Sequence, residues 1–259
     1  MSTEYDENKA GSHRFVYVGG LHRSGTSVLF RCLREHPLIS GFGNTGAPEE
    51  EGQYLQSVYR PAIAFGGPGR FGFHPEAHLT EASDLVTPDN RLRLFEEWKT
   101  YWDIEKPVLL EKSPSNLIRT RFLQELFPNS YFVIVTRHPI AVSYATQKWS
   151  YTSLDELIEH WLVCHEKFRQ DEQHISRLLT LKYEDFVKQP QYSLKKIYSF
   201  LDLPNHSNAI EVREDANERY LRLWRTGQNG ALSGGRIETD RIKSQYEHRV
   251  AAFGYSLDV

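Results

Sequence analysis

The chain has 259 residues, enough for one large domain or two small ones and for a sizeable buried core. It is 39% hydrophobic and 25% charged with no low-complexity tract, as globular chains are. Its net charge of −3 excludes a chain-wide basic field for nucleic acid or anionic membranes, so an anionic ligand needs a local basic site. Cys32 and Cys164 lie in apolar-periodic segments and form no CxxC pair, which predicts buried free thiols in a reducing compartment. Residues 1–13 are polar and carry no apolar signal-peptide core, and no apolar run reaches the ~20 residues of a membrane span. These features predict a flexible tail over 1–13, one domain over 14–259, and a soluble cytoplasmic protein without a membrane span.

In chain order, Phe15-Val16-Tyr17-Val18 is a β-branched and aromatic run that stops at Gly19-Gly20, and it predicts a buried strand. Val28, Leu29, Cys32 and Leu33 then recur at helical spacing until His36-Pro37 ends the helix. Residues 41–90 are punctuated by glycine and interleaved with Tyr54, Tyr59, Phe65, Phe71 and Phe73. A loop-rich insert of this length predicts a functional surface. Val108-Leu109-Leu110 predicts a strand, Asn116 to Phe127 a helix, and Tyr131 to Val135 a strand buried on both faces. A helix is predicted from Pro139, another from Leu154 to Ile175, a strand from Leu178 to Leu181 and a helix from Leu194 to Leu201. Residues 208–259 read as mixed and mostly helical. Strands alternating with helices predict an α/β fold, a single domain with a P-loop-like parallel sheet flanked by helices.

Gly20-Leu21-His22-Arg23-Ser24-Gly25-Thr26-Ser27 follows the first strand and opens the first helix. Backbone amides in such a turn, with the helix N-terminus behind them, hold phosphate. The glycine spacing and the final hydroxyl match the P-loop pattern G-x-x-x-x-G-K-[ST], but Thr26 stands where that pattern has lysine. In nucleotide triphosphatases that lysine reaches the β- and γ-phosphates, and an Asp after a neighbouring strand helps hold Mg²⁺. Here the apolar strand 131–136 ends in Arg137. The pattern suits a ligand with separate anionic groups and no metal. Two other readings stay open on the residues alone: a P-loop-type kinase with Lys112 as its phosphate-binding lysine, and a nucleotide-binding module without catalysis.

The run Arg23 to Ser27 resembles the 5′-phosphosulfate loop of sulfotransferases that use 3′-phosphoadenosine 5′-phosphosulfate (PAPS). It looks most like the tyrosylprotein and bacterial carbohydrate-type branches. Val133 to Pro139 followed by Ser143 resembles the family's 3′-phosphate element, with the serine six residues after Arg137 where many relatives have eight. Leu181 to Phe186 resembles the segment whose tyrosine, here Tyr183, lies near the adenine. Ala231-Leu232-Ser233 through Tyr255 resembles the C-terminal region of the tyrosylprotein branch. The resemblance implies PAPS as co-substrate, 3′,5′-ADP as product, a hydroxyl-bearing acceptor and no metal. It also implies a nucleotide site of His22, Arg23, Ser24, Gly25, Thr26, Ser27, Arg137, Ser143, Tyr183 and Ser233.

Sulfuryl transfer is like phosphoryl transfer: it needs cations where charge develops and a base at the attacking hydroxyl. Arg23 lies in the phosphate loop, and Lys112 follows a strand end, where α/β sheets collect ligands. By resemblance both are catalytic. The tyrosylprotein branch has a catalytic glutamate soon after its His-Pro, but the ungapped match is Asn44, which is no base. Glu51-Gly52-Gln53-Tyr54-Leu55 approximates the glutamate segment of a glycan-acting branch, so Glu51 is the predicted base, with Glu49, Glu50, His74 and His78 as alternatives. No histidine, cysteine or carboxylate spacing predicts a metal site. The acceptor stays open among glycan, tyrosyl or phenolic, lipid and small-metabolite hydroxyls.

Overall fold

The computed structural model describes residues 13–207, 212–213, 215–227 and 235–259. Five parallel strands form one sheet: β1 (Arg14–Gly19), β2 (Ile39–Gly41), β3 (Val108–Lys112), β4 (Ser130–Thr136) and β5 (Leu178–Lys182), in the order β2-β3-β1-β4-β5. In register, Val16 pairs with Leu110 on one side and Tyr131 on the other. Residues Phe15 to Val18, Val108 to Lys112 and Phe132 to Val135 are buried on both faces, which explains their near-continuous apolar runs.

Two contrasting faces result from the alternation in β1. Phe15 and Tyr17 point to an aromatic layer, with the Phe15 ring 4.5 Å from Phe127 and Tyr17 5.5 Å from Phe132 and 6.1 Å from Trp98. Helix α1 (Thr26–Arg34) follows β1 and packs on the β1, β2 and β3 side of the sheet. Helix α2 (Pro88–Lys99) ends the insert and brings Leu94, Phe95 and Trp98 to the core. Sequence periodicity did not predict it, although Thr87 caps it by accepting from the Asn90 amide and Pro88 occupies its first position. Between β2 and α2 the chain makes five short 3₁₀ turns, the loop-rich insert that the glycines predicted.

The helix predicted from Asn116 to Phe127 is divided. A 3₁₀ turn runs Pro114–Ile118, and helix α3 covers only Thr120–Leu126. Arg119 makes the break, with φ of −133° and no solvent exposure. Its guanidinium donates to Ser115 Oγ at 3.1 Å and Arg60 O at 2.9 Å and lies over the Tyr59 ring. Hydrogen bonding a buried cation thus sets the local backbone against helical continuity. Helix α4 (Pro139–Ser150) packs on α5 (Leu154–Asp171), which ends before the predicted Ile175 and gives way to a 3₁₀ turn at Glu172–His174. After β5 come α6 (Tyr183–Lys188), α7 (Pro190–Phe200), α8 (Glu218–Thr226) and α9 (Gly235–Ala251). Among the described residues, no helix is long and apolar enough to cross a membrane.

Candidate active site

Chain order reverses direction at β1: the chain goes from β1 outward to β2, returns through β3, and crosses to β4 and β5 on the other side. In open α/β sheets ligands bind beside such a switch, outside the carboxyl ends of the strands. A cleft of about 350 Å³ lies there, lined by His22, Arg23, Gly25, Thr26, Ser27, Val28, Arg31, Glu49, Glu51, Pro114, Arg137, Ala145, Tyr183 and Tyr220. Most of it is built by the segments that follow β1, β3, β4 and β5, with α4 and α8 closing one side.

The loop after β1 supplies the floor. Ser24 is buried, and both its amide and its hydroxyl donate to Leu21 O, at 3.0 and 2.5 Å. That hydroxyl therefore fastens the loop and does not line the cleft. Gly25 adopts φ of +100°, and a Cβ there would meet Tyr183 Cδ2 at 2.4 Å. The glycine lets the Tyr183 ring close against the start of α1. Val28 and Leu29 amides bond back to Gly25 O, while the amides of Thr26 and Ser27 head the helix without an intrahelical acceptor. Such a terminus favours anions.

Two arginines frame the loop. Arg23, exposed and at φ of 68°, lies with its guanidinium 5.7 Å from the Trp149 ring. Arg137, only 7% exposed, donates to Arg23 O at 2.7 Å, Asn217 Oδ1 at 2.8 Å and Ala216 O at 3.2 Å. Its guanidinium sits 4.2 Å from the Tyr183 ring and 6.0 Å from Tyr220. Glu184 braces this corner, accepting from Asn217 Nδ2 at 2.6 Å, from the His138 amide at 3.0 Å and from Tyr255 Oη at 3.1 Å.

At the other end stands a buried ion pair. Lys112 has no solvent exposure, and its Nζ lies 3.2 Å from Glu51 Oε1 and 3.4 Å from Ser27 Oγ. The lysine thus sits beneath the cleft, bridging the phosphate loop and the insert. Burial pushes the Glu51 carboxyl above its usual range, while Lys112 and a hydrogen bond from Gln53 pull it back. His22 is held neutral: burial, then Lys112 and Arg23, lower it to about 3.

The other acids and histidines lie elsewhere. Glu49 reaches the cleft, but Glu50 accepts from the Asn44 and Thr45 amides, both at 3.1 Å. His78 pairs with Asp171 at 2.7 Å and His74 faces Phe65, so neither lines the cleft. Ser143 also fails to reach it. Its buried hydroxyl has no hydrogen-bond partner among the described residues, and it lines a separate small cavity with Leu21, His22 and Thr146. The six-residue step from Arg137 turns Ser143 behind the loop. Ser233 lies outside the described residues. Sequence reasoning missed Arg31, Asn217 and Tyr220. Arg31 was legible as the i+4 neighbour of Ser27 on α1, whereas nothing local ties α8 to the cleft. Among the described residues no group of three His, Cys, Asp or Glu side chains is placed to hold a metal ion.

A strand, glycine loop and helix that gather cations at the switch point of a parallel sheet flanked by helices define a P-loop-like α/β fold. Residues 16–207 match the model of the sulfotransferase family, and the chain belongs to that family. It is 26% identical to protein-tyrosine sulfotransferase 2 of Gallus gallus over 240 residues, covering 88% of this chain and 59% of the relative. The chain thus spans less than two thirds of that relative's length. Among solved structures, it resembles the sulfotransferase domain of the Synechococcus PCC 7002 olefin synthase, with a TM-score of 0.54, 16% identity and coverage of 93% and 94% of the two chains. It resembles the sulfotransferase domain of the curacin biosynthetic pathway with a TM-score of 0.52, 16% identity and coverage of 94% and 98%. For a sulfotransferase from Mycobacterium avium the TM-score is 0.53, the identity 14% and the coverage 98% and 81%. At these identities the structures establish the fold.

Gly25→Ala forces a side chain into the Tyr183 ring and into a left-handed backbone, which costs roughly 1–2 kcal/mol per residue. A lower thermal midpoint together with weakened nucleotide binding is the expected result; an unchanged midpoint would refute the contact. A second prediction concerns Glu111, fully buried behind Glu51, whose carboxyl burial pushes up to about 7. The native state therefore binds this proton more tightly than the unfolded chain, so its contribution is full below about pH 4.5 and is lost as pH rises to about 7, on the order of 3 kcal/mol in all. Urea denaturation across that window should show the decline in the wild type and a flatter profile in Glu111→Gln.

Proposed function

We propose that the chain transfers a sulfuryl group from PAPS to the hydroxyl of an acceptor, leaving 3′,5′-ADP. The observation that carries this reading is the buried Glu51–Lys112 pair, set against Ser27 at the head of a phosphate-type loop, with Arg23, Arg31 and Arg137 in the same cleft. The donor set fits a nucleotide with two separated anionic groups. The Thr26 and Ser27 amides with Arg23 would hold one, and Arg137 between the Tyr183 and Tyr220 rings the other. When bound, PAPS supplies the activated sulfuryl group and a leaving phosphate oxygen on which negative charge develops.

The chain's own residues then divide the work. Lys112 and Arg23 present positive charge where the leaving oxygen gains it; loss of one such group costs about 10²–10³-fold in rate. Glu51 accepts the proton of the acceptor hydroxyl, a role that contributes about 10²–10⁴-fold. Burial lifts its proton affinity, as suits a base, and Lys112 opposes that shift. Neutral His22 lines the loop without adding charge. Arg137 with Tyr183 binds the nucleotide; Ser24 fastens the loop from behind, and Ser143 lies behind it in a separate cavity. The insert over 41–90 carries Glu49 and Glu51 into the cleft and so forms its acceptor side.

Calorimetric titration with 3′,5′-ADP tests the reading. Metal-independent binding is expected, weakened about 10- to 100-fold in Arg137→Ala through loss of charged hydrogen bonds. Binding of ATP with Mg²⁺ and none of the bisphosphate would overturn it in favour of a kinase.

A further inference from the structure

Glu51 lies in an irregular turn, where neither helix nor strand fixes a side chain. Even so, both its carboxylate oxygens are engaged: Oε1 by Lys112, and Oε2 by Gln53 Nε2 at 2.6 Å. Gln53 is 1% exposed, and its amide cannot be reversed. The Ala62 backbone N–H, which can only donate, lies 2.8 Å from Gln53 Oε1, and Ser115 Oγ donates to the same oxygen at 3.0 Å. With the carbonyl thus fixed, the NH₂ must face Glu51. The backbone of this turn is bolted to the end of β3 as well. The Gln53 amide donates to Ser113 Oγ at 3.0 Å, and the Gly52 amide donates to Glu111 Oε1 at 3.0 Å. Trp98 Nε1 donates to Gly52 O at 3.0 Å, and a Cβ at Gly52 would strike the Glu111 carboxylate at 2.5 Å.

We propose that Gln53 is a positioning residue that holds the Glu51 carboxylate in its ionised form and in one orientation, presenting it to the acceptor hydroxyl beside Lys112. A donor fixed on Oε2 stabilises the carboxylate over the acid. It also leaves the carboxylate no rotamer freedom at the moment of proton transfer, which is the condition for an efficient base. The other charged and titratable groups around Glu51 are Lys112 and Glu111 from β3, Glu49 and Tyr54 from its own segment, and Arg31 across the cleft. Among the described residues, only Gln53 and Lys112 bond to the carboxylate itself. This assignment rests on the proposed role of Glu51 as the base.

The test is a pH titration of the full chain labelled with ¹³C at the glutamate side-chain carboxyl, with Glu51→Gln identifying the Glu51 signal. Gln53→Met keeps the length and removes the donor. Its Glu51 midpoint should move to higher pH than in the wild type, with the thermal midpoint recorded alongside. Gln53→Glu, which sets an acceptor against Oε2, should move it the same way and stands in if the methionine variant does not fold. A Glu51 midpoint unchanged in a folded Gln53 variant overturns the proposal, because a merely structural glutamine would alter stability without moving this signal. The functional reading fails separately, if the wild type does not bind 3′,5′-ADP.

Discussion

A lysine ammonium with no solvent exposure must be answered by a carboxylate, and the active end of this fold is arranged around that demand. Lys112 is the last residue of β3 and is carried inside by the sheet. Its bonded partner is not the neighbouring carboxylate of β3, because Glu111 accepts from the Gly52 amide, Ser113 Oγ and Asn116 Nδ2 instead. It comes from the insert, which reaches back over the carboxyl edge to deliver Glu51. Removing Glu51 would leave the ammonium buried beside the Ser27 hydroxyl, so the ion pair ties the insert to the loop after β1. The same pair places an ammonium and a carboxylate within one hydrogen bond of each other, and the proposed sulfuryl transfer rests on that arrangement.

At the opposite end the constraint is different. Arg137 is buried between two tyrosine rings and bonded to backbone and amide oxygens of three segments: the phosphate loop, the residues before α8, and α8's own cap at Asn217. Its hydrogen bonds to carbonyl and amide oxygens satisfy the guanidinium geometrically without neutralising it, so the site retains positive charge for an anion. Glu184, one side chain further out, balances the corner through Asn217 and keeps the arginine from being paired directly. A cation held by dipoles and balanced at one remove is better suited to binding a phosphate than one already in a salt bridge.

Much of this was legible in the sequence because it is local. The β1-loop-α1 unit shows as an apolar run, two glycines and a helical stripe, and Arg137 shows as the residue that ends the most apolar strand. What escaped is what tertiary structure decides. Strand β2 has three residues, too few for a period of two to appear. The break at Arg119 depends on Ser115, Arg60 and Tyr59, which no window of sequence joins. Helix α2 carried its Thr-Pro start in plain view, but its apolar residues Leu94, Phe95 and Trp98 form a short stripe in a polar stretch. Ser143 follows its arginine at a different spacing from the family pattern, and two residues of helix rotate a side chain by more than half a turn, enough to move it from the cleft to the cavity behind.

The three consecutive acids show why the sequence could offer a segment for the proposed base but not say where each carboxylate points. Glu49 and Glu50 adopt left-handed backbone, at φ of 52° and 55°, and Glu51 returns to extended φ of −84°. The side chains therefore diverge: Glu49 to the cleft, Glu50 back to the Asn44 and Thr45 amides, Glu51 down to Lys112. Asn44 is left-handed too, at φ of 58°. Each such residue costs about 1–3 kcal/mol and persists only where its surroundings over-determine it. Here they do, since Glu50 accepts two backbone amides from the turn that strains it, and Glu51 is held at both oxygens. In an unstrained extended turn successive side chains would alternate and carry Glu50 and Glu51 to opposite sides with no means of folding Glu50 back on its own loop. The strain is what separates a carboxylate that fastens the loop from a carboxylate that pairs with Lys112, and it is why adjacent identical residues can do different things.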